Sequence, residues 1–190
     1  CSLVVIAIAA IVLSYVYFFR NPGIQKANDQ IGAADLELAQ GNDSTAMVQY
    51  MALADNGGYD AANRAALQSA ILLYQDGKYE EALKYLDKYS VKDEIIGAGA
   101  RSLKGDCLVN LDRLDDAVKA FKDAISTSDN NPAYTPFFMM KLARVFAAQG
   151  KHDEEAKLYE EIVKDYPLYG QAHNIDVEKL LDRARLQAGK

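Results

Sequence analysis

The sequence predicts an all-α protein: an apolar N-terminal transmembrane helix, a solenoid of helical hairpins behind it, and a C-terminal capping helix. Three observations carry this. Residues 1–19 hold no charge, and the first charged side chain is Arg20. A turn residue recurs at Gly41, Gly77, Asp112 and Gly150, in steps of 36, 35 and 38 residues, and the first three are followed five positions later by alanine. The last stretch places Val177, Leu180, Leu181 and Ala184 on one helical stripe, with Glu178, Lys179, Asp182 and Arg183 on the other face.

The opening segment reads CSLVVIAIAAIVLSYVYFFRNPG. A helix of its first 19 residues spans about 28 Å, close to the roughly 30 Å hydrocarbon core of a bilayer. It leaves the apolar run through Tyr15, Tyr17, Phe18, Phe19 and Arg20, the aromatic-then-cation order that a membrane–water interface favours. Residues 1–20 therefore read as an anchor and 21–23, Asn-Pro-Gly, as a breaking linker. Two other fates compete. A cleavable signal peptide needs a shorter apolar region and a small-x-small cleavage site, where this chain has bulky aromatics. A lipoprotein would carry its acyl chains on Cys1 and would normally continue into a polar tether. The chain opens without Met, which fits a start partway through a longer protein. Arg20 and Lys26 are the only cations in the ten residues that follow Phe19, which favours the large domain lying outside the cytoplasm.

All 21 Lys and Arg and all 27 Asp and Glu follow Phe19, so the body carries the whole formal charge of -6. An acidic body without a basic stripe argues against non-specific nucleic-acid binding. The two cysteines, Cys1 and Cys107, set no disulfide framework.

The repeat copies are Gly41, Ala46, Tyr50, Leu53; Gly77, Ala82, Leu86, Tyr89; Asp112, Ala117, Phe121, Ala124; and Gly150, Glu155, Tyr159, Ile162, Pro167. Glycine supplies the left-handed backbone that ends a first helix. The small residue lets the second helix approach closely, and the aromatic or leucine fills the space between hairpins. One hairpin cannot bury its apolar face, but a stack can. The expected helices cover 24–40, 44–55, 60–76, 79–90, 93–110, 114–128, 133–149, 152–165 and 171–188.

These spacings resemble the tetratricopeptide repeat, a helix–turn–helix unit of about 34 residues. The resemblance implies four tetratricopeptide-like repeats over 24–170 and a capping helix over 171–190. Three features depart from it: Glu155 stands in the small-residue place, Asp112 replaces the turn glycine, and the tryptophan of the first helix is absent throughout.

Catalysis finds no constellation. His152 and His173 lack partners at metal-ligand spacing and read as surface residues. Cys107 reads as a small buried hydrophobe. GAGARSLKG (97–105) lacks both the ending and the preceding strand of a phosphate loop, and reads as a tightly packing helix. The acidic pairs Glu80-Glu81, Asp115-Asp116 and Glu154-Glu155 open second helices, where they favour the helix dipole and stay solvated. No catalytic residue, metal, cofactor or small-molecule substrate is expected.

Stacked hairpins of this kind curve, and their first helices line a groove that binds protein. The register assigns to it Arg64, Leu67, Ile71 and Tyr74, then Asp106 and Val109, then Phe137, Met140 and Arg144. Apolar, aromatic and isolated charged groups together suit a peptide or helix of another protein. The Lys/Arg/Asn cluster by which some tetratricopeptide co-chaperones hold a terminal carboxylate is not found.

One span, a short linker, four repeats and a final helix together are similar to the YfgM-type ancillary subunits of the bacterial Sec translocon and to related single-span repeat proteins of Bacteroidota. NGGYDAANRAALQSAILLYQDGKYEEALKYLDKYSVKDEIIGAGARSLKGD and AYTPFFMMKLARVFAAQGKHDEEAKLYEEIVKDYP carry the likeness. It implies a single-pass inner-membrane protein with its repeats in the periplasm. The implied partners are translocon subunits, a periplasmic chaperone or prolyl isomerase, emerging chains, and membrane lipid along residues 1–20. The rival expectation is an outer-membrane lipoprotein scaffold in envelope assembly, held through Cys1.

Overall fold

The structure, a computed structural model, describes residues 2–189, and all their regular structure is helical. Cys1, on which the lipoprotein reading turns, lies outside the described residues. The apolar segment forms α1 (Ser2–Tyr15) and a π-helical turn (Val16–Arg20), and runs directly into α2 (Asn21–Ala39). The helical stretch Val4–Ala39 is 36 residues long, and it is long and apolar enough to cross a membrane.

The expected break at 21–23 does not occur. Asn21 keeps a right-handed helical backbone, at φ −65° and ψ −47°, although Pro22 follows it. Proline removes one N–H and its ring crowds the carbonyl four residues back. Here the turn just upstream is widened, and the Asn21 N–H bonds the Val16 carbonyl five residues back. A π turn of this kind gives the ring room and lets the helix continue.

The chain divides into two compact units, residues 1–77 with 87–89, and residues 78–86 with 90–190. In the first, α2 packs on α3 (Asp43–Asn56), and α3 on α4 (Tyr59–Gln75). Its core holds Ala27, Ile31, Ala46, Tyr50, Leu53 and Ala65. Helix α5 (Tyr79–Lys88) contributes residues to both units and buries Ala82, Leu83, Tyr85 and Leu86.

In the second unit, α6 (Glu94–Asn110), α7 (Leu114–Thr127), α8 (Thr135–Ala148) and α9 (His152–Asp165) pack in sequence, each on the next. Asp93 caps α6 by accepting from the Ile96 N–H at 2.6 Å. The expected single helix over 171–188 is two: α10 (Tyr169–His173) and α11 (Val177–Gln187). Asn174 separates them at φ 54°, a left-handed conformation that asparagine tolerates, and Asp176 caps α11 through the Lys179 N–H. Helix α11 packs on α9 and buries Val177, Leu181 and Ala184 against Met139, Met140, Tyr159 and Ile162.

The turns close as the repeat pattern requires. Gly41, Gly77 and Gly150 have φ of 79°, 74° and 69°, and Asp112 takes the same left-handed place at 56°. Around three of them the bonding is identical. The turn residue's N–H reaches three residues back, and the next N–H reaches five: Asn42 to Glu37, Arg113 to Leu108 and Lys151 to Phe146. The small-residue places, Ala46, Ala82 and Ala117, are fully buried, and Glu155 is equally buried in the fourth.

Candidate partner-binding surface

In the first unit, Arg64, Leu67, Ile71 and Tyr74 recur at helical spacing along α4, with Arg64 exposed and the other three half-buried. Asp35 of α2 holds the stripe's charged end. Its Oδ2 lies 3.3 Å from the Arg64 guanidinium, and its Oδ1 accepts from the Tyr50 hydroxyl at 2.5 Å. Burial raises the Tyr50 pKa well above its ordinary 10, and the Asp35 bond and charge add to this, while Arg64 opposes it.

In the second unit, Asp106 and Val109 come from α6, and Phe137 and Arg144 from α8. Val109 and Phe137 are exposed to 39% and 41%, so both present apolar surface to solvent. Met140 does not. It is only 4% exposed and packs in the core with Met139, Tyr159 and Leu181, because at that position α8 faces α9 and α11 rather than solvent.

Sequence reasoning missed Lys141, the residue that organises this face. Its Nζ donates to Asp106 Oδ2 at 2.5 Å and lies 4.9 Å from the centre of the Phe137 ring. Burial raises the Asp106 pKa, against the bond and charge of Lys141. The signal was present: Lys141 lies one turn beyond Phe137 and one turn before Arg144, on the same face of α8. Arg144 is exposed, and its charge opposes the burial that raises the Tyr159 and Tyr169 pKa values.

Two further side chains depart from expectation. Glu155 is fully buried instead of solvated. His152 is half-buried and bonds Glu155 Oε2 through Nδ1 at 2.8 Å, while Arg183 of α11 lies 3.7 Å from Oε1. The carboxylate thus ties α9 to the final helix. His173 is exposed, with its ring 4.5 Å from that of Tyr169. Cys107 is fully buried, and its thiol is pushed up to about 12 by burial and then by the charge of Asp106, which makes it unreactive. Among the described residues, no three His, Cys, Asp or Glu side chains converge as a metal site.

Helical hairpins closed by left-handed turns, small residues at the hairpin contact and faces of mixed apolar and charged groups define a helical-repeat protein-interaction scaffold. The chain belongs to the tetratricopeptide repeat-like domain family, which matches residues 25–145, and a tetratricopeptide repeat also matches 138–169. No curated protein sequence matches it. Among solved structures, the fold is similar to MamA, at TM-score 0.62 and 21% identity over 86% of this chain and 88% of that one. It is also similar to YrrB, described as a TPR protein with an unusual peptide-binding site, at TM-score 0.57 and 16% identity over 83% and 84%. Nearly identical TPR-like repeats from Podosopora anserina match at TM-score 0.59 and 14% identity over 86% and 95%.

Proposed function

We propose that this protein is a membrane-anchored, non-catalytic scaffold. It holds partner proteins or emerging chains beside a bacterial inner membrane, as an accessory of Sec-type translocation and of handover to a periplasmic chaperone or prolyl isomerase. One observation carries the reading: the uncharged stretch from Val4 to Phe19 is exposed and runs on, helical throughout, into α2 of the first hairpin. A binding array joined this way is confined to the membrane plane, which raises the effective concentration of membrane-bound partners.

The two faces built around Asp35–Arg64 and Asp106–Lys141–Phe137 suit an extended or helical segment with both apolar and charged side chains. The low positive charge after the span, Arg20 and Lys26, supports the repeats lying in the periplasm. The test is site-specific photo-crosslinking in native membranes from positions Tyr74, Phe137 and Arg144. Translocon or periplasmic folding factors should be captured. Recovery of cytosolic proteins alone would overturn the assignment.

A further inference from the structure

The α3–α4 connection returns the chain to the base of α2, next to the segment read as a membrane span. Tyr59 opens α4 at φ 63°, a left-handed conformation that is strained for a bulky residue. Its ring lies against Gly23, where a side-chain Cβ would come within 2.6 Å of the Tyr59 hydroxyl oxygen. Tyr59 nevertheless remains 45% exposed. A glycine at position 59 would close the turn without strain, so the backbone is held in a costly state by the aromatic side chain it presents.

The height of this ring above the span follows from the continuous helix. Gly23 is three residues beyond Arg20, a rise of about 4.5 Å. The headgroup layer on each side of a bilayer is about 5–7 Å thick, so a group level with Gly23 falls within it. The connection itself, Asn56-Gly57-Gly58-Tyr59, carries no charge. Of its acidic flanks, Asp55 is paired with Lys88 at 2.5 Å.

We propose that the 56–59 connection is a second membrane contact. The Tyr59 ring lies in the headgroup layer of a phospholipid bilayer, level with the base of α2, and fixes the rotation of the first hairpin about the span. Tyrosine suits that layer because its ring is apolar and its hydroxyl can stay hydrated. The inference rests on residues 1–20 spanning the membrane.

The chain has no tryptophan, so single-tryptophan reporters are unambiguous. The full chain is reconstituted in phosphatidylcholine vesicles with and without a lipid carrying a nitroxide on its headgroup. Tyr59→Trp and Gly58→Trp should both lose a large share of their emission to the nitroxide lipid. Gly58 is a safe second site, since its backbone is extended and nothing lies within 4 Å of an added Cβ. Leu36→Trp, exposed near the far end of α2, should lose none. Phe18→Trp reports the span alone. If it is quenched by lipid labels while positions 58 and 59 are not, the second contact is wrong and the anchor stands. If Phe18→Trp also escapes quenching by headgroup and acyl-chain labels, the anchor reading fails and takes this inference with it.

Discussion

The Tyr50 hydroxyl donates to the Asp35 carboxylate at 2.5 Å, from a side chain that is fully buried between α2 and α4. The native phenol therefore holds its proton beyond pH 10, where an unfolded tyrosine releases it. Above that pH the unfolded state binds fewer protons than the native state, so stability falls as pH rises; below it the contribution is complete. The Tyr50 contribution to thermal stability in detergent should be flat up to about pH 9 and fall beyond about pH 10. Tyr50→Phe should lower stability at neutral pH by about 1 kcal/mol and make the alkaline fall shallower. An unchanged alkaline slope would show that Tyr50 is not among its sources.

Asp112 is the only one of the four hairpin turns not built on glycine, yet it has their left-handed backbone and the hydrogen bonds of the Gly41 and Gly150 turns. A left-handed conformation costs a residue with a Cβ about 1–2 kcal/mol. Asp112→Gly should relieve most of this, net of glycine's extra chain entropy, and raise the urea midpoint by the equivalent of about 0.5–1 kcal/mol. Gly150→Ala should move it the other way by a similar amount. A destabilised Asp112→Gly would mean that the aspartate side chain itself supports the turn.

Gly105 of α6 packs against the ring of Phe121 of α7, and a Cβ there would lie 2.7 Å from it. Phe121 is fully enclosed, so the ring has nowhere to retreat. Gly105→Ala should cost about 1–3 kcal/mol by overpacking, although alanine is the better helix former. Gly99 of the same helix has open space around it, and Gly99→Ala should stabilise by up to about 1 kcal/mol. Paired denaturation curves separate the two effects.

Lys141→Met removes the cation that opposes the burial of Asp106. The Asp106 pKa, already above its usual 3.8, should rise further, as read by carboxyl NMR titration. A raised carboxyl pKa contributes stability at low pH and loses it as pH rises through that pKa, so the variant should be weakest at neutral pH, by about 1–2 kcal/mol. An unmoved titration would mean that the Asp106–Lys141 bond is absent in solution.

The repeat frame was legible because its determinants are local. Left-handed turns select glycine, and close helix contacts select alanine, so Gly41, Gly77 and Gly150 and then Ala46, Ala82 and Ala117 mark the hairpins at a fixed step. What was not legible depends on neighbours. Pro22 reads as a breaker until the widened turn before it is seen. Asn174 breaks the last helix because Asp176 restarts it two residues later. At the candidate surface, Arg64 and Phe137 were assignable from helical register, but register alone cannot separate Met140 from Lys141. That needs the positions of α9 and α11, which cover the first and leave the second at the edge.

Glu155 sets the fourth hairpin apart from the other three. The first three hairpins carry alanine at this place, and each could in principle be followed by another of its kind. The fourth carries a carboxyl group that is sealed from water and whose neighbour across the interface, Arg183, comes from α11. A copy of this hairpin placed in the interior would keep the His152–Glu155 bond of its own helix but would bury the Glu155 Oε1 side without the arginine that α11 supplies. Lengthening by internal duplication is therefore easier for the alanine hairpins than for the one that carries Glu155.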